Sequence, residues 1–190
     1  MKPDFLNQDS LKVAPQLLGW VLCRRLPEGI VKLKIVEVEA YHQDDPASHS
    51  SHGLTKRTAP MFKTGGHIYI YFNYGMHYAI NIVTGSSGRG EAVLLRAAEP
   101  LHGLKIMQNN RGITDIKKLA NGPGKLAQAL GIIDTQLSGK ILNKSSIYLQ
   151  PPTEVIKPED IVITPRIGLT KATDLPLRFY LKISPHISRV

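Results

Sequence analysis

Two runs frame the chain. Ile35-Val36-Glu37-Val38-Glu39-Ala40-Tyr41 is β-branched and carries two carboxylates to its end. Tyr69-Ile70-Tyr71-Phe72-Asn73-Tyr74-Gly75-Met76 is an aromatic strand that runs into a turn signal. Between them lies a polar loop with Asp44, Asp45, His49 and His52, and five of the seven tyrosines fall between Tyr41 and Tyr78. Acid, histidine and aromatic rings this close in sequence point to a site that binds a flat ring and activates a water.

In the first run, simple alternation puts Val31, Leu33, Ile35, Glu37 and Glu39 on one face. Lys32, Lys34, Val36 and Val38 take the other. The apolar face thus changes sides along one strand, and such conflicts with patterning collect at functional sites.

Working outward, Ser10 to Leu18 reads as a helix, with Asp9 or Ser10 as N-cap, Gly19 as its stop and Pro15 shortening or kinking it. Trp20 to Leu26 is a strand, Pro27-Glu28-Gly29 a turn and Val31 to Tyr41 the return strand. His42 to Gly66 is a long loop, and long loops in compact domains are usually functional. His67 to Phe72 and His77 to Thr84 form a hairpin across Asn73-Tyr74-Gly75. Glu91 to Ala98 is a strand ended by Pro100, and Leu101 to Asn109 is helical. Asn121-Gly122-Pro123-Gly124-Lys125 opens a helix to Leu130, and two glycines with a lysine at such a start suit an anion. Short strands follow at 145–149, 161–163 and 178–183. Strands on both sides of a helical middle, joined mainly by hairpins, predict an α+β fold. A length of 190 residues predicts one domain spanning 1–190.

Hydrophobic residues make up 42% of the chain, enough for a core, and the formal charge is +9. A compact basic protein of this size most often meets a polyanion. No run approaches the ~18 apolar residues of a membrane span, and the first residues lack the apolar region of a signal peptide. The expectation is an intracellular protein that works with nucleic acid. Cys23 is the one cysteine and sits in a strand, where it suits a small buried apolar role.

Several residues invite chemistry. Glu39 at a strand end, with Arg96 at the end of another, suits deprotonation of a water or stabilisation of developing positive charge. Read alone, a Glu at a strand end is more often a solvated carboxylate. The spacing of His49 and His52, with His42 nearby, fits no established zinc pattern, so His49 is read as a pocket wall and no metal is expected. Tyr69 and Tyr71 suit any strand core. Tyr74 differs, because an aromatic at a hairpin tip of a basic protein suits a wedge between stacked bases.

Nine ordered blocks carry a resemblance. Val38-Glu39-Ala40-Tyr41, Ala47-Ser48-His49-Ser50, Met61-Phe62, Tyr69 to Met76, Asn81-Ile82 and Leu94-Leu95-Arg96-Ala97-Ala98-Glu99-Pro100 come first. Gly122-Pro123-Gly124-Lys125-Leu126, Pro165-Arg166-Ile167-Gly168 and Pro176-Leu177-Arg178-Phe179-Tyr180 follow. Together they resemble the alkyladenine (3-methyladenine) DNA glycosylase family from Leu17 to Ser184. The resemblance implies a monofunctional glycosylase that flips damaged purines out of double-stranded DNA and excises them without metal or cofactor, as a monomer. It implies one mixed domain around a curved antiparallel sheet with a protruding β-hairpin. Glu39 then corresponds to the general base, and Arg96 and a backbone carbonyl near Ile167 help to hold the water. Tyr41, His49 and Tyr71 correspond to the base sandwich, Asn81 to a residue that crowds the guanine amine, and Tyr74 to the intercalating tip. The 50–60 loop departs from the family's Thr-Pro-Arg-Asn, leaving Lys56 or Arg57 as DNA-backbone candidates beside Gly124 and Lys125. Asn73 and His77 are unusual neighbours of the tip. Residues alone also allow a binding module without chemistry, or a hydrolase of free purine nucleosides.

Overall fold

The computed structural model describes residues 3–73 and 75–189. Asp9 caps the first helix, α1 (Ser10–Leu17), by accepting the Lys12 N–H at 3.0 Å. The helix runs through Pro15 rather than stopping in its first turn, and ends at Leu18 and Gly19, whose φ is 82°. Strands β1 (Val21–Leu26) and β2 (Gly29–Tyr41) form a hairpin across Pro27-Glu28. The long loop carries two short 3-10 turns, His49–His52 and Ala59–Phe62. A second hairpin follows, β3 (Ile68–Asn73) and β4 (His77–Val83), and Gly75 at its tip has a φ of 66°.

Strand β5 (Ala92–His102) is longer than expected. Pro100 does not end it, because β4 pairs only with Ala92–Leu94, and Pro100 sits where β5 has no strand on that side. Leu101 is consequently a strand residue, and helix α2 begins at Leu104 (Leu104–Arg111). Helix α3 spans Pro123–Ala129 with Gly122 at its N-cap. Three short strands close the chain, β6 (Ile147–Gln150), β7 (Ile161–Thr164) and β8 (Arg178–Leu181).

All eight strands pair antiparallel in one curled sheet of order β3-β4-β5-β2-β1-β6. Strand β8 adds to the far half of β2, at Glu37–Glu39, and β7 lies beyond it. The fold is α+β, as expected from sequence.

The register between β2 and β5 corrects the alternation assigned from sequence. Ile35 faces Ala98 and Glu37 faces Ala97, so Val36 has no opposite number. Glu37 faces Ala97 and Val38 faces Leu95, so Arg96 has none. The first bulge resets the parity of β2. Val31, Leu33 and Ile35, then Val36, Val38 and Ala40, all enter the same core cluster. Glu37 and Glu39 therefore leave the face of Ile35 and join Tyr41 on the opposite side. Ile68 and Ile70 of β3, Ile80 and Ile82 of β4, and Val93 and Leu95 of β5 complete that core under α1 and α3.

Two buried arginines tie the long loop and the C-terminal strand to this frame. Arg166 grips Asp45 with both terminal nitrogens and donates to the Ala40 carbonyl at 3.1 Å. Both side chains of that pair are fully covered. Arg178 on β8 donates to Glu37 at 2.7 Å. Removing one partner of a buried pair leaves an uncompensated charge, which typically costs about 3–5 kcal/mol. Asp45→Ala is expected to lower unfolding stability by about that amount in denaturant titration. A change under about 1 kcal/mol would show that water reaches Arg166.

Candidate active site

The opposite face of the sheet lines a cavity of about 780 Å³. Each strand contributes the residues that alternate away from the core. Strand β2 gives Glu39 and Tyr41, β5 gives Leu94 and Arg96, β4 gives Asn81, and β3 gives Tyr69 and Tyr71. The first turn of α3 and the stretch from Ile167 to Lys171 complete the wall.

Glu39 is fully buried at the floor. Its Oε1 accepts the Ile167 N–H at 2.9 Å and lies 3.2 Å from Arg96 Nη1. Its Oε2 accepts the Tyr41 hydroxyl at 2.9 Å. Burial, and then the Glu39 charge, push the Tyr41 phenol far above its usual range, so Tyr41 stays a donor. The Arg166 guanidinium stands 4.5 Å from the centre of the Tyr41 ring and fixes it from the other direction. Ile167 thus meets the carboxylate through its N–H.

Arg96 is the unopposed residue of β5, and the bulge aims its guanidinium between both carboxylates. Its Nε donates to Glu37 Oε1 at 3.2 Å while Nη1 faces Glu39. Glu37 therefore holds two arginines, and it is not among the residues lining the cavity.

The 3-10 turn delivers His49. Ser48 and Ser50 hydroxyls lie 2.8 Å apart, and Ser50 Oγ donates to the Gly90 carbonyl at 2.7 Å. That pins the turn to the segment preceding β5. The His49 ring packs edge-on against Tyr71, with centroids 4.5 Å apart, and its Nδ1 lies 2.9 Å from the Tyr69 hydroxyl. Burial, and then the charge of Arg57, lower the His49 pKa to about 4. The Arg57 guanidinium lies near the Tyr69 hydroxyl and sits 5.5 Å from the Tyr71 ring centre. The neutral imidazole and the Tyr69 hydroxyl thus share one hydrogen bond at Nδ1.

Glu39, Tyr41, His49, Tyr71, Asn81, Arg96 and Ile167 thus meet in one cavity, as do Gly124 and Lys125 at its edge. Asn81 donates to the Tyr69 carbonyl across the hairpin at 3.1 Å. Gly124 packs so closely on His77 that an added Cβ would lie 2.4 Å from its ring. Lys125 Nζ bonds Asn121 Oδ1 at 2.8 Å. Lys56 and Arg57 are exposed on the loop. Tyr74, expected at the hairpin tip, lies outside the described residues. His42 lies away from His49, against a second cleft. Among the described residues no group of three His, Cys, Asp or Glu is placed to hold a metal ion, and no helix is long and apolar enough to cross a membrane.

The core reading of Tyr69 holds, since Tyr69 is buried with Met61, Val83 and Ala92, and the same ring also lines the cavity beside Tyr71. Arg166, Arg178 and Asp45 were missed as supports, because their partners lie 126, 141 and 121 residues away and no local pattern marks them.

The sequence profile of the methylpurine-DNA glycosylase family matches residues 4–185. A protein of Methanoculleus marisnigri bearing the name 3-methyladenine DNA glycosylase is 50% identical over 187 residues, covering 97% of this chain and 96% of its own. A protein of the same name from Carboxydothermus hydrogenoformans is 47% identical over 185 residues, covering 97% of this chain and 96% of its own. One from Chlorobaculum parvum is 47% identical over 188 residues, covering 97% of this chain and 88% of its own.

The lowered pKa of His49 has a measurable consequence. Unfolded, the ring takes a proton below its ordinary 6.5, whereas the folded site refuses it until about 4. Stability attributable to His49 is therefore complete above pH 6.5 and falls as the pH drops from 6.5 towards 4. Each unit of difference is 1.36 kcal/mol, and partial exposure reduces the sum to roughly 1–2 kcal/mol. A nitrogen-15 NMR titration is expected to give His49 a midpoint near 4. A midpoint near 6.5 would contradict the buried, Arg57-shadowed ring described above.

Proposed function

The chain belongs to the methylpurine-DNA glycosylase family and is a DNA glycosylase of repair; we propose that it flips a damaged purine out of double-stranded DNA, stacks it against Tyr41, His49 and Tyr71, and hydrolyses its glycosidic bond with Glu39 as general base. The substrates are alkylated or deaminated purines of the 3-methyladenine and hypoxanthine classes, and the product is an abasic site. The enzyme acts as a monomer inside the cell and uses neither metal nor cofactor.

The observation that carries this reading is the pairing of Glu39 with Arg96 at the floor of an aromatic-walled cavity. Among the described residues Glu39 is the one carboxylate lining it. A carboxylate accepts about four hydrogen bonds, and the protein provides donors from Ile167, Arg96 and Tyr41. The remaining acceptor position suits the attacking water. Glu39 is fully covered, so admitting that water takes a shift of the Tyr41 phenol. Proton removal by Glu39 then makes the nucleophile, while the carboxylate's charge faces the cationic sugar as the base departs. His49 is neutral near pH 7, which removes repulsion against a cationic purine and rules the ring out as a strong acid. Electron-rich rings favour a cationic purine by cation–π attraction. Stacking on them offsets the few kcal/mol spent in unstacking the base. Asn81 fits the role of excluding the guanine amine. Lys56, Arg57, Gly124 and Lys125 are candidates for backbone phosphates, and the net charge of +9 gives salt-sensitive affinity for DNA.

Glu39→Gln is expected to lower single-turnover excision of hypoxanthine from a duplex by at least 10²–10⁴-fold while lesion binding persists. Gln keeps the shape but neither accepts the water's proton nor supplies charge. An active variant would sink the assignment. Wild-type protein that binds the duplex and cuts nothing would be a binding module, and a preference for the free nucleoside would make it a nucleoside hydrolase.

Tyr74 is assigned to the gap left by the flipped nucleotide. A base–aromatic stack is worth about 1–3 kcal/mol, so Tyr74→Ala is expected to weaken binding to lesion duplex roughly ten- to a hundred-fold, with a smaller effect on undamaged duplex. Equal losses on both duplexes would remove Tyr74 from that role.

A further inference from the structure

The segment after β8 reaches back into the charge network beneath the cavity. Ile187 packs against the main core and His186 is buried, so the segment is anchored immediately before the contact. Ser188 then makes two bonds to Glu37. Its backbone N–H donates to Oε2 at 2.5 Å and its hydroxyl donates to Oε1 at 2.8 Å. The same hydroxyl oxygen lies 3.5 Å from Arg96 Nη2. The next residue, Arg189, gives its carbonyl to Arg178, the other arginine on Glu37. Ser188 lies beyond residue 185, where the family match ends, and that match assigns it no part.

Each nitrogen of the Arg96 guanidinium consequently has its own fixed partner. Nε meets Glu37, Nη1 meets Glu39 and Nη2 meets Ser188. The first and third of these are joined through Ser188 itself. A planar fork held at three points has no freedom to rotate about its last bonds, and its direction toward Glu39 is set from behind.

We infer that Ser188 is a positioning residue of this glycosylase, which clamps Glu37 and Arg96 so that the Arg96 fork presents Nη1 to Glu39 and the attacking water. The inference rests on the reading of Glu39 as the base. Ser188 is not among the residues lining the cavity, and acts through Glu37 and Arg96. The backbone bond to Glu37 survives any side-chain replacement, whereas the hydroxyl bonds do not. Ser188→Ala therefore loosens the fork without removing a charge. Ser188→Thr keeps the hydroxyl, and the half-exposed position leaves room for the added methyl.

The test compares the wild type with both variants, each checked for folding by circular dichroism. Single-turnover excision of hypoxanthine and lesion-duplex Kd are read together, and the Arg96 Nε–H resonance is followed in nitrogen-15-labelled protein. Loss of a hydrogen bond to charged groups is expected to slow excision by Ser188→Ala about tenfold, with Kd within about twofold of wild type. Ser188→Thr is expected to restore the rate. The Arg96 resonance is expected to shift and exchange faster in Ser188→Ala alone. A simple packing role would weaken binding and excision together and would leave Thr as damaging as Ala. Unchanged excision with an unmoved Arg96 resonance would overturn the inference while leaving Glu39 as the base. If the wild type excises nothing, the catalytic reading fails by itself, and the resonance still decides whether Ser188 orders Arg96.

Discussion

Two carboxylates and two guanidiniums, Glu37, Glu39, Arg96 and Arg178, share one buried patch behind β2. Removing four charges from water costs several kcal/mol per ion, and their mutual attraction returns that cost only when every charge has close partners. The surrounding structure meets this demand. Strand β8 lies beside Glu37–Glu39, the tail brings Ser188, and the 164–168 turn brings the Ile167 N–H. A core assembled for stability alone gains little from such a patch, since apolar residues of similar volume do as well. A site that meets a positively charged sugar gains a fixed negative charge that needs no reorganisation during the reaction.

The bulges on either side of Glu37 make this patch compatible with a hydrophobic sheet. A regular strand 13 residues long would carry the carboxylates on the same face as Val31, Leu33 and Ile35 and drive them into the apolar core. One extra residue at Val36 turns them to the other side, and one at Arg96 aims the counter-charge at them. From there the sheet has two characters. One face is aliphatic and closed by α1 and α3. The other presents Tyr41, Tyr69 and Tyr71 to a cavity large enough for a purine.

Local chemistry was readable in the sequence where it is written locally. The carboxylates at a strand end, the aromatic hairpin, the glycine-rich start of α3 and the α+β class all follow from patterns within a few residues. The bulge left a trace as well, in the change of apolar side between Ile35 and Val36, but alternation alone assigns the carboxylates to the wrong face. Pro100 misled because its effect depends on whether a neighbouring strand needs its N–H, which only the sheet order decides. The buried supports were invisible for a different reason. Arg166 meets Asp45 across 121 residues and Ser188 meets Glu37 across 151, and a lone arginine or serine looks the same whether it is solvated or clamped.

Under the proposed function, the charge around the cavity favours a purine carried by a duplex over a free base. Arg96, Arg111, Lys125 and Lys171 line it, against the one carboxylate of Glu39. Arg96 is neutralised by Glu37 and Glu39, which leaves the edge cationic. Among the described residues Arg111 bonds the Leu119 carbonyl and the Gln128 amide oxygen, and Lys125 the Asn121 amide oxygen, all neutral groups. A free cationic purine approaching that edge meets repulsion, and the π faces within must outweigh it. In the proposed sequence of events the phosphates of a bound duplex reverse the balance, because they neutralise the edge cations before the base turns inward. Neutral His49 serves the same end, since protonating it would add a further positive charge against the stacked ring. On that proposal, selection for lesions in DNA follows from the order of events, with phosphates first and the purine second, as much as from the fit of the pocket.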